Sequence, residues 1–445
     1  MNDTIFALAT APGRGAVAVV RVSGPGARNA MNLVGVGRLR PRWAGLRTLR
    51  GPGNQIIDQA IVLWFPRPHS FTGEDCVEFH LHGGRAVIDA LTETLLTGAA
   101  RLAEPGEFTR RAYENGKLDL SQAEATADLV DAETAAQARQ AIGQLQGAIG
   151  RRYAGWRQRL VDVIACLEAA LDFPDEDLPA DLLNEVGAGL SGMIAELGDA
   201  LSDAKRGLRV REGYRIALIG APNAGKSTLA NGLAGRDLAI VSELAGTTRD
   251  VIEITIDLGG NNVVIADTAG LHDAVHDIEK EGVRRASDWA ARADLRIWVV
   301  DRAGKDGAWR AAERLVRPAD ICLLNKTDLT EGEDGRAARG AAGLLGLEVV
   351  ELSKPRSVLD LKEILVARVR RDLEGSEFPA ATRARHFKLL EVAGARLRAA
   401  LAHLDDIDLA AEDIRLSVRA LERVTGHIGA EDILDEVFKR FCIGK

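Results

Sequence analysis

The stretch YRIALIGAPNAGKSTL, residues 214–229, constrains this chain more than any other. A β-rich apolar run ends at Ile219, a loop with glycine and proline follows, and a helical run opens at Lys226. Gly220, Gly225, Lys226 and Ser227 therefore fit G-x-x-x-x-G-K-[ST] in the strand–loop–helix setting that gives the pattern its meaning. The glycines let backbone amides wrap phosphates, the lysine neutralises β/γ charge, and the Ser227 hydroxyl ligates magnesium. Downstream, YRIALIG, VIEITIDLG, NVVIADTAG, LRIWVVD, DICLLNKTD and LEVVELS read as strands separated by helices or loops. That alternation predicts a largely parallel sheet with helices on both faces.

Two more motifs sit at strand ends. In DTAG (Asp267, Thr268, Ala269, Gly270), the aspartate is placed to hold magnesium through water and the Gly270 amide to meet a γ-phosphate. In NKTD (Asn325, Lys326, Thr327, Asp328), the Asp328 carboxylate can accept from guanine N1–H and from its exocyclic amine. Adenine offers no such donor pair, and Asn325 faces the guanine's other edge, so the expected nucleotide is GTP. The fifth base-contacting element is reduced to SKP at Ser353, without the alanine of a Ser-Ala-Lys loop. Leu271 stands where Ras-like enzymes place a water-orienting glutamine, so both a replacement and an arginine-finger substitute are needed. The loop VSELAGTTRD offers hydroxyls and carbonyls that can gather a monovalent cation beside the phosphates. Thr248 within it is the magnesium-side threonine, and Glu279 is a candidate to orient water.

The flanks differ in texture. A length of 445 residues calls for two or three domains. Residues 1–117 read as a mixed α/β module in which Val77, Phe79 and Leu81 alternate with Glu78, His80 and His82. The two histidines lack a third metal ligand and fit the polar face of a strand. From Leu118 the chain turns helical, with a capping box expected at Ser121 and Glu124 and a run towards Leu171. DFPDEDLP breaks it, and Leu183, Val186, Leu190, Ile194, Leu197 and Leu201 mark a second helix. Helical texture returns after about residue 380, which suggests an α/β domain inserted into a helical one.

A net charge of −8 argues against a surface coated for nucleic acid. RNA would need a local patch such as RLRPRWAGLRTLR, whose plainer reading is a solvated edge. Cys76, Cys166, Cys322 and Cys442 form no CxxC or zinc-like spacing. With no signal peptide, the expectation is reduced thiols in a cytoplasm. No apolar run reaches the ~18 residues of a membrane span. The stretch FCIGK, residues 441–445, is a poor prenylation signal, since Gly444 replaces an aliphatic residue and Lys445 follows it.

These motifs, with DTIFALATAPGRGAVAVVRVSG, SFTGEDCVEFHLHGG, PGEFTRRAYENGKLDLSQAEA and GAEDILDEVFKRFCIGK, resemble the MnmE (TrmE) family of tRNA-modification GTPases over nearly the whole chain. The resemblance implies a multidomain fold: an N-terminal α+β folate-binding and dimerising module (1–117), a discontinuous all-α domain (118–211 and 375–445), and an inserted Ras-like α/β G domain (212–374). It puts Lys445 of the CIGK stretch with Arg21, Glu78 and Lys117 around a folate, 5-formyltetrahydrofolate or a related reduced form. It assigns the potassium positions to Asn223, Ser242, Leu244 and Thr247, magnesium to Ser227 and Thr248, and water orientation to Glu279. The nucleotide contacts then span 223–228 (Asn223, Ala224, Gly225, Lys226, Ser227, Thr228) and 242–248 (Ser242, Glu243, Leu244, Ala245, Gly246, Thr247, Thr248), beside the DTAG and NKTD residues. Lys226, Thr248 and Glu279 would carry catalysis. Implied partners are a second copy of the chain, an FAD-dependent MnmG (GidA)-type protein in a larger complex, and tRNA, with no membrane. The rival expectation is a regulatory GTPase switch in ribosome assembly, which folate binding would argue against.

Overall fold

The structure, a computed structural model, describes residues 3–172, 182–240, 252–267, 284, 287–352, 355–375, 378–426, 428, 434, 437–439, 441 and 444. The chain forms two compact units, one of residues 1–130, 144–193 and 392–445, the other of residues 131–143 and 194–391.

The first unit holds a six-stranded sheet of β1 (Thr4–Leu8), β2 (Gly15–Ser23), β3 (Gly45–Arg50), β4 (Ile56–Phe65), β5 (Cys76–Gly83) and β6 (Ala100–Leu102), ordered β3-β4-β5-β2-β1-β6. Only β1 and β6 run parallel. The alternation in β5 works as expected: Val77, Phe79 and Leu81 are buried with Val20, Val22 and Val62 under the helices Ala27–Leu33 and Arg85–Leu96. His80 and His82 lie on the opposite face. There His82 Nδ1 is 2.8 Å from Asp58 Oδ1. Burial alone would raise the Asp58 carboxyl, but hydrogen bonds from His82 and Gln59 hold it below the ordinary carboxylate range.

The helical run expected from Leu118 to Leu171 is three helices, Leu120–Val130, Ala135–Leu145 and Ala148–Asp172, with a left-handed Gly147 between the last two. The capping box is also two residues earlier than Ser121. Asp119 Oδ1 accepts from the Gln122 amide at 2.8 Å, while Gln122 Oε1 accepts from the Asp119 amide at 2.9 Å. The Asp119 carboxylate takes the orphan Gln122 N–H, and the Ser121 hydroxyl donates to that same Oδ1 instead of capping the helix. In the Leu182–Glu212 helix, Val186, Leu190 and Leu197 are buried and Leu183 is exposed.

Within the first unit, Leu434, Phe438 and Phe441 pack against Leu120 and Ala123. Tyr113 Oη donates to the Gly426 carbonyl at 2.5 Å. A side chain at Gly106 would strike Phe438 O at 2.7 Å and Phe441 Cβ at 3.0 Å.

The second unit holds a seven-stranded sheet of β7 (Tyr214–Ile219), β8 (Ala239–Ile240), β9 (Ile252–Leu258), β10 (Asn261–Asp267), β11 (Leu295–Asp301), β12 (Ile321–Asn325) and β13 (Glu348–Glu351). The order is β13-β12-β11-β7-β10-β9-β8, parallel except for β9, which runs antiparallel to both neighbours. Strands buried on both faces read as near-continuous apolar runs. Ile216, Leu218, Ile265, Val299 and Leu323 pack towards the helices Lys226–Leu238 and Pro355–Leu373. Ala217, Ile219, Trp298, Val300 and Leu324 pack towards Ala338 and Ala342 of the helix Glu333–Leu344. Cys76 and Cys322 are buried, Cys166 is exposed, and all three are free. Burial pushes the Cys322 thiol up to about 12, so it is an inert part of the packing. Among the described residues no helix is long and apolar enough to cross a membrane.

Candidate functional site

Parallel strands bring their carboxyl ends to one edge of the sheet, which is where open α/β sheets bind ligands. Here those ends are Ile219, Asp267, Asp301 and Asn325, with Asp301 in register with Asn325 and Asp267 with Leu218. Three motifs far apart in sequence therefore meet. Between Ile219 and the Lys226 helix, the backbone takes up φ values that only glycine adopts freely. Gly220 lies at φ 151°, where a Cβ would collide with the Val299 carbonyl. Gly225 lies at φ 101°, where a Cβ would run into the Asn325 amide.

Lys226 is 6% exposed, and its Nζ donates to the Gly220 and Ala221 carbonyls at 3.0 and 2.8 Å. Burial lowers its pKa from the ordinary lysine value, partly opposed by the Asp267 charge. Ser227 Oγ donates to Asp267 Oδ2, and Thr228 follows on the exposed side of the first turn. A hydroxyl and a carboxylate meeting at the head of the loop are hard oxygen donors, the chemistry Mg2+ prefers. Among the described residues no cluster of three or more His, Cys, Asp or Glu is suited to a metal.

Asn325 Nδ2 donates to the Ala224 carbonyl at 2.8 Å, fastening NKTD to the phosphate loop. Lys326, at φ 60°, sets its Nζ 2.7 Å from Asp301 Oδ2. The Thr327 amide donates to the Leu352 carbonyl at 3.2 Å, Arg302 Nη1 donates to the Thr327 carbonyl at 3.2 Å, and Asp328 is exposed. Asp301 and Arg302 were not anticipated from the sequence. The signal available was the aspartate ending LRIWVVD, one strand over from NKTD. Asn223 stands in the loop at φ 60°. Ser242, Glu243, Leu244, Ala245, Gly246, Thr247, Thr248, Thr268, Ala269, Gly270, Leu271, Glu279, Ser353, Cys442 and Lys445 lie outside the described residues.

A second cluster lies on the N-terminal sheet. Arg21 and Glu78 are register partners across β2 and β5, and Arg21 Nε donates to Glu78 Oε1 at 2.9 Å. The Arg21 guanidinium lies 5.5 Å from the Phe71 ring and 5.8 Å from the Phe108 ring, aromatics within SFTGEDC and PGEFTRR to which the sequence alone gives no role. Lys117 Nζ donates to the Pro68 carbonyl at 3.1 Å, against the loop that carries Phe71. Gly444, at φ 97°, lies so close over Leu8 and Ala9 that a Cβ would strike the Leu8 carbonyl. The neighbouring Ala7 pairs with Arg21.

Comparison with known proteins gives two family matches: "GTP-binding protein TrmE N-terminus" over residues 4–117 and "MnmE helical domain" over residues 120–442. The chain is 53% identical over 447 residues to a protein of Phenylobacterium zucineum (strain HLK1) named tRNA modification GTPase MnmE, with 100% of each covered. Proteins of the same name from Caulobacter vibrioides and Maricaulis maris are 54% and 49% identical, again with 100% of each chain covered.

Proposed function

This chain belongs to the MnmE family of tRNA modification GTPases, and on that premise we propose that it is a potassium-activated GTPase modifying carbon 5 of the wobble uridine of certain tRNAs. It acts in the cytoplasm as a homodimer with a flavin-dependent MnmG-type protein, and a reduced folate such as 5-formyltetrahydrofolate supplies the one-carbon unit. Residues 212–374 form the inserted G domain, and 118–211 with 375–445 the discontinuous helical domain.

The meeting of the 220–227 loop, Asp267 and NKTD at the carboxyl ends of adjacent parallel strands carries the GTPase reading. Lys226 supplies a fixed positive charge in a desolvated setting, where charge is worth more than in water. Ser227 and Thr248 hold Mg2+, with Asp267 behind them. The metal held there would supply positive charge that offsets the charge of the phosphates. Asp328 selects guanine, and Glu279 orients the attacking water in place of Leu271. Asn223, Ser242, Leu244 and Thr247 offer oxygens for K+, which adds charge beside the phosphates as an arginine finger does. Arg21, Lys117 and Lys445 suit the carboxylates of a folate, and Glu78 accepts from its pterin amines. The approach of Gly444 to the strand position beside Arg21 supports that grouping.

Hydrolysis measured in K+ and in Na+ tests the switch. K+ should accelerate it, a role that can be worth ~10³-fold or more, and Glu279→Ala should cut turnover while sparing GTP affinity. Equal rates in the two salts, with full activity in the variant, would refute it. Mass spectrometry of wobble nucleosides from cells lacking the protein tests the tRNA role.

A further inference from the structure

From Thr4 to Ile57 the sequence has eight arginines and no aspartate or glutamate, in a chain of net charge −8. Five of the eight, Arg38, Arg40, Arg42, Arg47 and Arg50, lie on the approach to β3 and along it. β3 is an edge strand; most of residues 37–46 are exposed, while Arg47 and Arg50 are half-buried. Arg38, Arg40 and Arg42 are exposed, and Trp43 is 61% exposed.

What these arginines touch is informative. The Arg40 guanidinium lies 4.8 Å from the Trp43 ring centre. Arg47 Nη1 donates to the Leu46 carbonyl at 2.8 Å and Arg50 Nη1 to the Asn54 carbonyl at 3.1 Å. Arg42 serves the fold itself. Its amide donates to the Trp64 carbonyl at 2.8 Å, its guanidinium donates to the His69 carbonyl, and its φ is 60°. Among the described residues, none of the five is paired with a carboxylate. Elsewhere in the module Arg21, Arg101, Arg110 and Arg111 each are.

Like charges with no carboxylate partner repel one another, which costs the fold stability. Blocking an edge strand from unwanted pairing needs only one or two of them. An exposed indole stacked under a guanidinium has no part in edge blocking. Guanidinium groups that take phosphates, beside an aromatic face that takes an unstacked base, are what RNA loops and single strands require. We infer that residues 38–50 form an RNA-docking surface, which rests on the proposed tRNA substrate and locates where that RNA is gripped. Arg38, Arg40 and Arg47 take backbone phosphates, and Trp43 stacks on a base. An acidic protein would answer the charge and leave Trp43 unused.

The test uses the full chain and an unmodified tRNA transcript with uridine at the wobble position, titrated by fluorescence anisotropy between 50 and 200 mM salt. Combining Arg38→Ala, Arg40→Ala and Arg47→Ala should reduce the slope of log K against log salt by about 2–3, near 0.7–0.9 for each phosphate no longer neutralised. Trp43→Ala should weaken binding roughly 5- to 140-fold and leave the slope unchanged. GTP hydrolysis should stay at the wild-type rate in both, which also shows that they are folded. The surface assignment is overturned if wild type binds the transcript and the triple variant binds it with equal affinity and slope. It is overturned in favour of an acidic protein partner if polyglutamate of matched charge displaces the tRNA equally well and Trp43→Ala has no effect. If wild type itself does not bind tRNA, the substrate reading falls and the surface falls with it.

Discussion

Replacing Gly225 with alanine should cost the nucleotide site about 2–4 kcal/mol. At φ 101° an alanine is strained whatever the space around it, which amounts to ~1–3 kcal/mol. Its Cβ would also displace the Asn325 amide and break the 2.8 Å bond to the Ala224 carbonyl, worth a further ~0.5–1.5 kcal/mol. The loop can relax locally while the sheet beneath stays packed, so most of the loss should fall on binding rather than on the melting temperature. Titration with a fluorescent GDP should then show affinity reduced roughly 30- to 700-fold, at tenfold per 1.4 kcal/mol. The collision predicts coupling as well. The double variant Gly225→Ala, Asn325→Ala should bind about fivefold better than the two single losses multiplied, because the struck amide is gone. A Gly225→Ala protein binding within threefold of wild type, or strictly additive losses, would refute the reasoning.

Asp328→Asn exchanges an acceptor for a donor and should shift preference from guanine towards xanthine nucleotides in competition assays; unchanged GTP preference removes Asp328 from base selection. Lys445→Ala should weaken 5-formyltetrahydrofolate binding about 10- to 150-fold, the range for a charged hydrogen bond, with GTP affinity intact. Normal folate binding in that variant would detach residue 445 from the pocket. Glu107 is buried, and although burial opposes it, bonds from Arg101 and Arg111 hold its carboxyl below the ordinary 4.5. A depressed folded pKa stabilises above about 4.5 and is lost as pH falls through the folded value. The melting temperature of the wild type should therefore drop as pH falls below about 4.5, and Glu107→Gln should flatten that drop, as read by thermal melts across pH.

The nucleotide loop was legible because its chemistry is local: strand, glycines, lysine and serine are contiguous, and the sheet follows from apolar runs at regular intervals. The Lys326–Asp301 pair was not, because it depends on the register of two strands whose connection the sequence does not specify. Register likewise hid the Arg21–Glu78 pairing, since β3 and β4 intervene in sequence between β2 and β5; only family resemblance grouped those residues. The helix start at Leu120 was misplaced for a different reason. Asp119-x-x-Gln122 and Ser121-x-x-Glu124 are overlapping matches to one capping pattern, and packing of Leu120 and Ala123 decides between them. The break between Val130 and Ala135 does carry a sequence signal, the capping box Thr134-x-x-Gln137, in which the Gln137 amide donates to Thr134 Oγ1 at 3.4 Å and the Thr134 amide to Gln137 Oε1 at 3.1 Å.

The packing of Leu434, Phe438 and Phe441 on Leu120 and Ala123 has a consequence for how the protein is made. Tyr113 and Gly426, joined across the same region, are 313 positions apart. At the ~5–20 residues per second of translation, the early strands and helices wait roughly 15–60 s before their covering segment exists. For that interval Leu120 and Ala123 lack the cover they have in the folded chain. A chain cut before Leu434 would leave that apolar surface bare and should be more open to proteolysis than the full chain.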